Sequence, residues 1–409
     1  MEKTQEGKIQ EITDELEKGI KGLFESQKYS DYLKVMSKFY QYSFNNSILI
    51  SMQKPDATMV AGYTSWKSNF HRNVVKGERG IHILAPSPYK IKKDIAKVDP
   101  DTNQPIIGSD GQPLKERIQV SIPAYKITTV FDVSQTEGKP LPEIATALSG
   151  DVKDFDKFYS AIRQTSPVPM EVKNIDGSAN GYYNLNDKTI VIKEGMSQSQ
   201  TLKTAIHELS HAKLHDTDTG IEKDNLPDRG TKEVEAESIA YTVCSHYGLD
   251  TSDYSFGYIA GWSSDKEMEE LKKSMNTIRS TAADIINGID KELIIADREE
   301  RIDKLAKDID ELSKEYDPYE YMNDVKDSDK HVDELKNEIR LGNVDCLQKL
   351  LQPFKDDQES VEQSLQAKDI SERLKEYSKV KSEEPVLANA TSKHEEQEKE
   401  HVEKQRHRR

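Results

Sequence analysis

Two histidines one helical turn apart, with a glutamate between them, occur at His207-Glu208-Leu209-Ser210-His211. Positions i and i+4 of an α-helix lie side by side, so these imidazoles can hold one zinc ion. Glu208 is then the general base, close enough to take a proton from a water that the ion has acidified and to pass it to a leaving amine. That is the chemistry of a zinc-dependent peptidase. The flanking residues predict the helix. Ser197 reads as its N-cap with Gln200 completing a capping box, and Leu202, Ala205, Ile206, Leu209 and Ala212 form an apolar stripe that the histidines border.

Two histidines leave a zinc site incomplete, and a second helix must supply the third ligand. Thr231 to Gly248 reads as that helix, with Thr231 as N-cap, Gly248 as stop, and Val234, Ile239, Val243 and Tyr247 as apolar contacts. Glu233 and Glu237 share one of its faces. This spacing of two acids is the gluzincin arrangement: Glu233 is expected as the ligand and Glu237 as the acid that hydrogen-bonds a liganding imidazole, with the reverse assignment still open. Tyr241, His246, Tyr254 and Tyr258 compete as donor to the developing oxyanion. His215, eight residues after His207, sits about 12 Å along the axis, too far to share its ion. The extended metzincin motif is excluded, because Leu214 and Thr217 stand where it needs glycine and histidine.

The elements that position these residues are also legible. Tyr182-Leu185 and Thr189-Ile192 are β-prone runs around the polar Asn186-Asp187-Lys188, which predicts a hairpin leading into the metal helix. The loop Thr217 to Gly230, polar and containing Pro227, reads as a moving lid.

Of 409 residues, 34% are hydrophobic and 32% charged, so part of the chain is expected to lie outside packed cores. No apolar run reaches membrane-span length and the first residues lack the form of a signal peptide, which predicts a cytoplasmic protein. Two cysteines, Cys244 and Cys346, argue against a disulfide framework. The net charge of −16 hides a reversal: residues 34–97 carry +8, leaving −24 on the remainder. Phe39, Tyr40, Tyr42, Phe44, Tyr63, Trp66, Phe70 and Tyr89 are interleaved with those cations. Such a surface can bind single-stranded nucleic acid by phosphate neutralisation and base stacking; the alternative is a small α/β domain with aromatic core and solvated lysines.

Tyr42-Ser43-Phe44-Asn45-Asn46-Ser47-Ile48-Leu49-Ile50, Ala61-Gly62-Tyr63 with Trp66, Val75-Lys76-Gly77-Glu78-Arg79-Gly80-Ile81 and Val130-Phe131-Asp132-Val133-Ser134-Gln135-Thr136 resemble the N-terminal domain of ArdC-type antirestriction proteins, some of them described as LtrC-like. The resemblance spans roughly residues 7–262. It implies a single-stranded-DNA-binding domain joined to a zincin-like metallopeptidase domain, in a protein carried by plasmids and conjugative elements. By position, DNA contact is expected at Trp66, Arg72, Lys76 and Arg79, with Lys76 to Gly80 forming a tight turn that presents Lys76 and Arg79 outward. Asn69-Phe70-His71 stands where relatives commonly show a glycine before the arginine.

The expected organisation is α+β: an ArdC-like α/β DNA-binding domain at 7–136, a linker at 137–150 stiffened by Pro140 and Pro142, and a gluzincin-like domain at 151–262. A charged helical region follows at 263–381, with Ile302, Leu305, Ile309 and Leu312 at helical intervals, then a disordered tail at 382–409. Residues 98–112 read as an insertion before the strand Ile118-Val120. The expected cofactor is Zn2+ and the expected partners are single-stranded DNA and an unidentified protein substrate, with no membrane. The helical region is expected as a solvated arm or as a short coiled coil that docks a partner or another subunit. The competing functions are a DNA-binding protein whose zinc site is structural or inactive, and a regulatory peptidase that cleaves a repressor.

Overall fold

The computed structural model describes residues 5–24, 26–99, 104–107, 112–122, 124–141, 155–216, 227–252, 254, 256–264, 266–316, 328–356, 360 and 362–378. The expected tail, most of the linker, residues 217–226 of the expected lid and half of the expected insertion lie outside them.

Three helices open the chain: α1 (Gln5–Lys21), α2 (Ser26–Lys38) and α3 (Phe44–Gln53). A small antiparallel sheet follows in the order β1 (Val60–Gly62), β6 (Tyr125–Asp132), β3 (Ile81–Pro86). Phe39, Ile50, Ala57, Val60, Ile81, Ile83 and Val130 close the core between helices and sheet. The free edge of β3 is covered by two side-chain amides of α3. Asn46 bonds the Leu84 N–H at 2.9 Å and its carbonyl at 3.0 Å, and Gln53 does the same at His82 at 2.9 and 2.8 Å. These amides replace a neighbouring strand.

Around this sheet, α4 (Tyr63–Ser68) leads to β2 (Arg72–Val74), which pairs with β7 (Thr136–Gly138). The expected linker therefore begins inside a strand. Gly138 has φ +144, and a Cβ there would lie 2.6 Å from the His71 carbonyl, so this pairing needs a glycine. Strands β4 (Tyr89–Ala96) and β5 (Lys115–Ile122) pair with each other and, among the described residues, with no other named strand, forming an exposed ribbon.

After α5 (Phe155–Thr165) comes a second sheet, in the order β8 (Met170–Lys173), β10 (Thr189–Lys193), β9 (Gly181–Asn184). β9 and β10 form the expected hairpin, and β8 runs parallel to β10. Against it lie α6 (Gln198–Leu214), α7 (Arg229–His246) and α8 (Ile259–Ser264).

Helix α9 (Met268–Tyr316) departs from the expected solvated arm. The chain divides into two units, 1–292 and 293–409, and the boundary falls within this helix. In the first unit Leu271, Met275, Ile278, Ala282, Ile285, Ile286 and Ile289 are buried, at the three- and four-residue spacing of an apolar stripe. The second unit has its own core. Ile302, Leu305, Ile309 and Leu312 are buried with Leu335, Ile339, Leu347, Leu351, Ile370 and Leu374 from three further helices, Ser328–Leu341, Val344–Asp356 and 362–378. The region is helical as expected, but its charges coat packed helices. No helix among the described residues is long and apolar enough to cross a membrane.

Candidate metal centre

Helix α6 starts where the sequence predicts. Ser197 accepts the Gln200 N–H at 3.2 Å, and Leu202, Ala205, Ile206, Leu209 and Ala212 are buried. The capping box is only half formed, because the Gln200 side chain turns to the Thr204 hydroxyl at 3.2 Å. Helix α7 starts three residues earlier than expected. Asp228 is its N-cap, accepting the Thr231 N–H at 3.0 Å and the Thr231 hydroxyl at 2.7 Å, so Thr231 serves the cap as a donor. Gly248, at φ +70, lies just beyond its end.

Packing of α6 on α7 brings the three expected ligands together. His207 Nε2 and His211 Nε2 are 3.2 Å apart, and Glu233 Oε2 lies 3.8 and 3.7 Å from them. Donors around one tetrahedral zinc stand about 3.3 to 3.5 Å from each other, so this triangle is nearly the size such an ion requires. The electrostatics also fit a divalent cation. Burial, with the neighbouring His211, lowers the His207 pKa to about 4, leaving a neutral imidazole with a lone pair to give. Hydrogen bonding to His211 holds the Glu233 carboxyl below its ordinary range, outweighing burial, and so keeps it ionised.

Glu208 is 8% exposed and close enough to His211 and Glu233 to feel both of them electrostatically. Burial pushes its pKa up to about 7; His211 and the Tyr183 backbone N–H oppose that rise. Strand β9 can approach only because position 181 is glycine: a Cβ there would lie 2.9 Å from the Val191 carbonyl oxygen and 3.3 Å from Glu208 Cγ. An acid of this pKa, one residue from a ligand, can exchange a proton near neutral pH.

The partners behind the ligands differ from expectation. Glu237 accepts a short hydrogen bond from the Tyr258 hydroxyl, where an imidazole was expected. The group that holds an imidazole of the triad is His215, whose Nδ1 lies 2.9 Å from His211 Nδ1. His215 Nε2 lies 3.3 Å from Glu235 Oε2, and the Ser274 hydroxyl donates to Glu235 Oε1 at 2.8 Å. All three of His215, Glu235 and Ser274 are buried. Glu235 was missed because it falls on the face of α7 turned from Glu233 and Glu237, and Ser274 because it lies 39 residues further on, in α9.

Among the oxyanion candidates, Tyr241 is buried between the rings of Tyr254 and Phe256, and His246 Nδ1 bonds the Ser37 carbonyl at 2.8 Å. Tyr258 is half-exposed and anchored one helical turn from Glu233 through Glu237.

The expected DNA-contact residues divide. Trp66 is fully buried, and its Nε1–H donates to the Phe131 carbonyl at 2.9 Å, so it fixes α4 to β6 and presents no face to solvent. Arg72 is turned inward: its guanidinium donates to Thr136 Oγ1 and the Thr136 carbonyl at 2.8 Å each, and to the Lys139 carbonyl at 2.6 Å. It clamps β2 to β7. Lys76 and Arg79 are exposed, in a turn with Gly77 at φ +97. Gln135 supports that turn through Glu78 Oε2 at 2.9 Å and the Arg79 carbonyl at 2.8 Å. Sequence reasoning overlooked the ribbon. One of its faces carries Lys90, Lys92, Lys115 and the Asp94–Arg117 pair, the other Tyr89, Ile91, Lys93 and Ile95.

Comparison with known proteins places these features. The relative found among curated proteins is an uncharacterized protein of Bacillus anthracis, 29% identical over 303 residues, 68% of this chain and 50% of that one. The chain thus spans about half the length of that relative. The metal-free crystal structure of the antirestriction ArdC protein from plasmid R388 aligns at 20% identity and a TM-score of 0.36, over 61% of this chain and 85% of that one. Its Mn(II)-bound form aligns at 19% and 0.33, over 62% and 83%. Residues 3–131 match the family of the N-terminal domain of anti-restriction factor ArdC, and residues 167–247 match the IrrE N-terminal-like domain, a peptidase-type family. The chain thus carries an ArdC-type N-terminal domain followed by a zincin-like domain of the IrrE N-terminal-like family.

Proposed function

We propose that this protein is a zinc metallopeptidase of a mobile element, which its N-terminal domain directs to single-stranded DNA. It would protect incoming DNA against restriction by covering the strand and cleaving a protein found there. The observation that carries the peptidase half is the convergence of His207, His211 and Glu233 beside a buried Glu208. The chemistry a bound zinc ion supplies is Lewis acidity toward a peptide carbonyl and toward water. Glu208, with a pKa near 7, takes the proton of the attacking water and delivers it to the leaving amine. The half-exposed Tyr258 would donate to the developing oxyanion only by turning its one hydroxyl proton away from Glu237. Among the described residues β9 is the last strand of its sheet, the position at which an extended peptide would pair.

For the DNA half, the cations to test are Lys76 and Arg79 in the turn and Lys90, Lys92 and Lys93 on the ribbon, all exposed. Stacking would fall to Tyr89, since Trp66 is enclosed. The family match at residues 3–131 supports this assignment.

The test measures zinc content, hydrolysis of a denatured protein and affinity for an oligonucleotide across a salt series. Glu208→Gln should keep one zinc and lose about 10² to 10⁴ in rate, while His207→Ala should lose the zinc. Both should bind DNA as the wild type does. Reversing Lys76 and Arg79 to glutamate should weaken binding and flatten its salt dependence by roughly 0.7 for each phosphate no longer neutralised. Zinc bound without hydrolysis by the wild type would favour a structural metal site, and hydrolysis of one repressor without DNA would favour a regulatory peptidase.

A further inference from the structure

The structure assigns His215 and Glu235 as positioning residues of the metal centre, with Ser274 of α9 completing their hydrogen-bond chain. The inference rests on the metal-site reading above and extends it to a residue outside both family matches.

Donors and acceptors leave a single arrangement. If His211 gives its Nε2 lone pair to a cation, its only proton is on Nδ1. That proton faces His215 Nδ1 at 2.9 Å, so His215 must accept there and carry its own proton on Nε2. Nε2–H then donates to Glu235 Oε2 at 3.3 Å, and the remaining oxygen, Oε1, accepts from the Ser274 hydroxyl at 2.8 Å. Each group has one role left to it, so binding a cation at His211 fixes both tautomers and the direction of the chain. Two imidazoles transmit the carboxylate's charge toward the ligand, making His211 a stronger donor and holding its ring plane. Burial of His215, Glu235 and Ser274 keeps water from replacing any link. A carboxylate bonded directly to a liganding imidazole would do this in one step. Here Glu237, the acid at the expected spacing, is occupied by Tyr258 and the longer route serves instead.

The test uses the full-length protein and three variants: Glu235→Gln, which keeps the shape and removes the charge, His215→Phe, which removes both bonds, and Ser274→Ala, which removes the last donor. Zinc affinity is read by competition with a chromophoric chelator, and ligand geometry from the visible spectrum of the Co(II)-substituted protein. Glu235→Gln and His215→Phe should weaken zinc binding by about 10- to 100-fold and change the Co(II) bands, with Ser274→Ala weaker in the same direction. The melting temperature of metal-free Glu235→Gln should stay near that of the wild type. Variants that bind zinc within twofold of the wild type, with unchanged Co(II) bands, would overturn the assignment while leaving the metal centre intact. A wild type that binds no zinc would overturn the metal-site reading itself. If the two inner variants fail to fold, Ser274→Ala decides alone.

Discussion

The Tyr29 hydroxyl on α2 lies 2.9 Å from Ser238 Oγ on α7, joining residues 209 positions apart. Ser238 directly follows Glu237, so this bond ties the N-terminal helices to the helix that carries Glu233. Tyr29 is fully buried, its ring packs on Phe256, and its hydroxyl also approaches Met275 Sδ of α9. Tyr29→Phe keeps the packing and leaves Ser238 without this partner, which should cost about 1 kcal/mol in urea unfolding. Tyr29→Ala should cost about 3 to 5 kcal/mol.

Gly181→Ala should harm the centre without touching a ligand. The added methyl would lie 2.7 Å from Thr204 Cγ2 and 2.9 Å from the Val191 carbonyl oxygen, and that backbone atom cannot yield. The expected loss of stability is about 1 to 3 kcal/mol. Because the same methyl meets Glu208 Cγ, kcat should fall by a larger factor than zinc affinity does. Steady-state kinetics beside a zinc titration separates the two.

Acid should weaken the cap of α7. Hydrogen bonds from the Thr231 hydroxyl and N–H, outweighing burial, hold the Asp228 pKa down at about 2, against an ordinary value of 3.8. The unfolded chain therefore takes up the proton more readily, and the contribution is complete above about pH 4 and fades toward pH 2. Asp228→Ala should lose about 1 kcal/mol at pH 7. The gap in melting temperature between variant and wild type should narrow as the pH falls below 4.

His71→Gly should be neutral or stabilising. His71 has φ +53, the left-handed region in which a side chain costs about 1 to 2 kcal/mol and glycine nothing. Glycine's greater freedom in the unfolded chain returns about 0.5 to 1 kcal/mol of that gain. The net should be up to about 1 kcal/mol in favour of the variant, measured by urea unfolding, whereas His71→Val should destabilise.

The metal helix was legible because each of its signals is local. Ser197 caps it, the apolar stripe repeats every three or four residues, and the two histidines are one turn apart. The same holds for the hairpin beneath it, whose turn chemistry lies between two β-prone runs. The approach of Glu233 to the two histidines was legible through its spacing from Glu237, but the partner of Glu237 was not. That choice depends on where Tyr258 arrives after α7 ends, a tertiary fact that helical spacing does not contain.

Trp66 misled for a related reason. An aromatic residue in a cation-rich window suits a DNA surface and a protein core equally, and only the carbonyl of Phe131 decides between them. The long helix α9 was obscured by its charges. Its average composition is that of a solvated arm, yet Met275, Ile278, Ala282, Ile285 and Ile289 repeat at core spacing. Position 71 was readable in part: the resemblance implies a glycine before the arginine, and the positive φ of His71 suits one.

The β4–β5 ribbon bears on how the DNA reading can be tested at all. Among the described residues no strand pairs with either of its long edges, and Tyr89, Ile91 and Ile95 are exposed on one face, the profile of a strand that recruits other strands and precipitates. Lys90, Lys92 and Lys93 act there as gatekeepers against self-assembly, since two ribbons brought edge to edge would oppose like charges. Alanine at these positions would remove the gatekeepers together with the cations that meet phosphate, and would confuse aggregation with weaker affinity. Glutamate reverses the charge and keeps the repulsion, so charge reversal is the substitution that lets this surface be read.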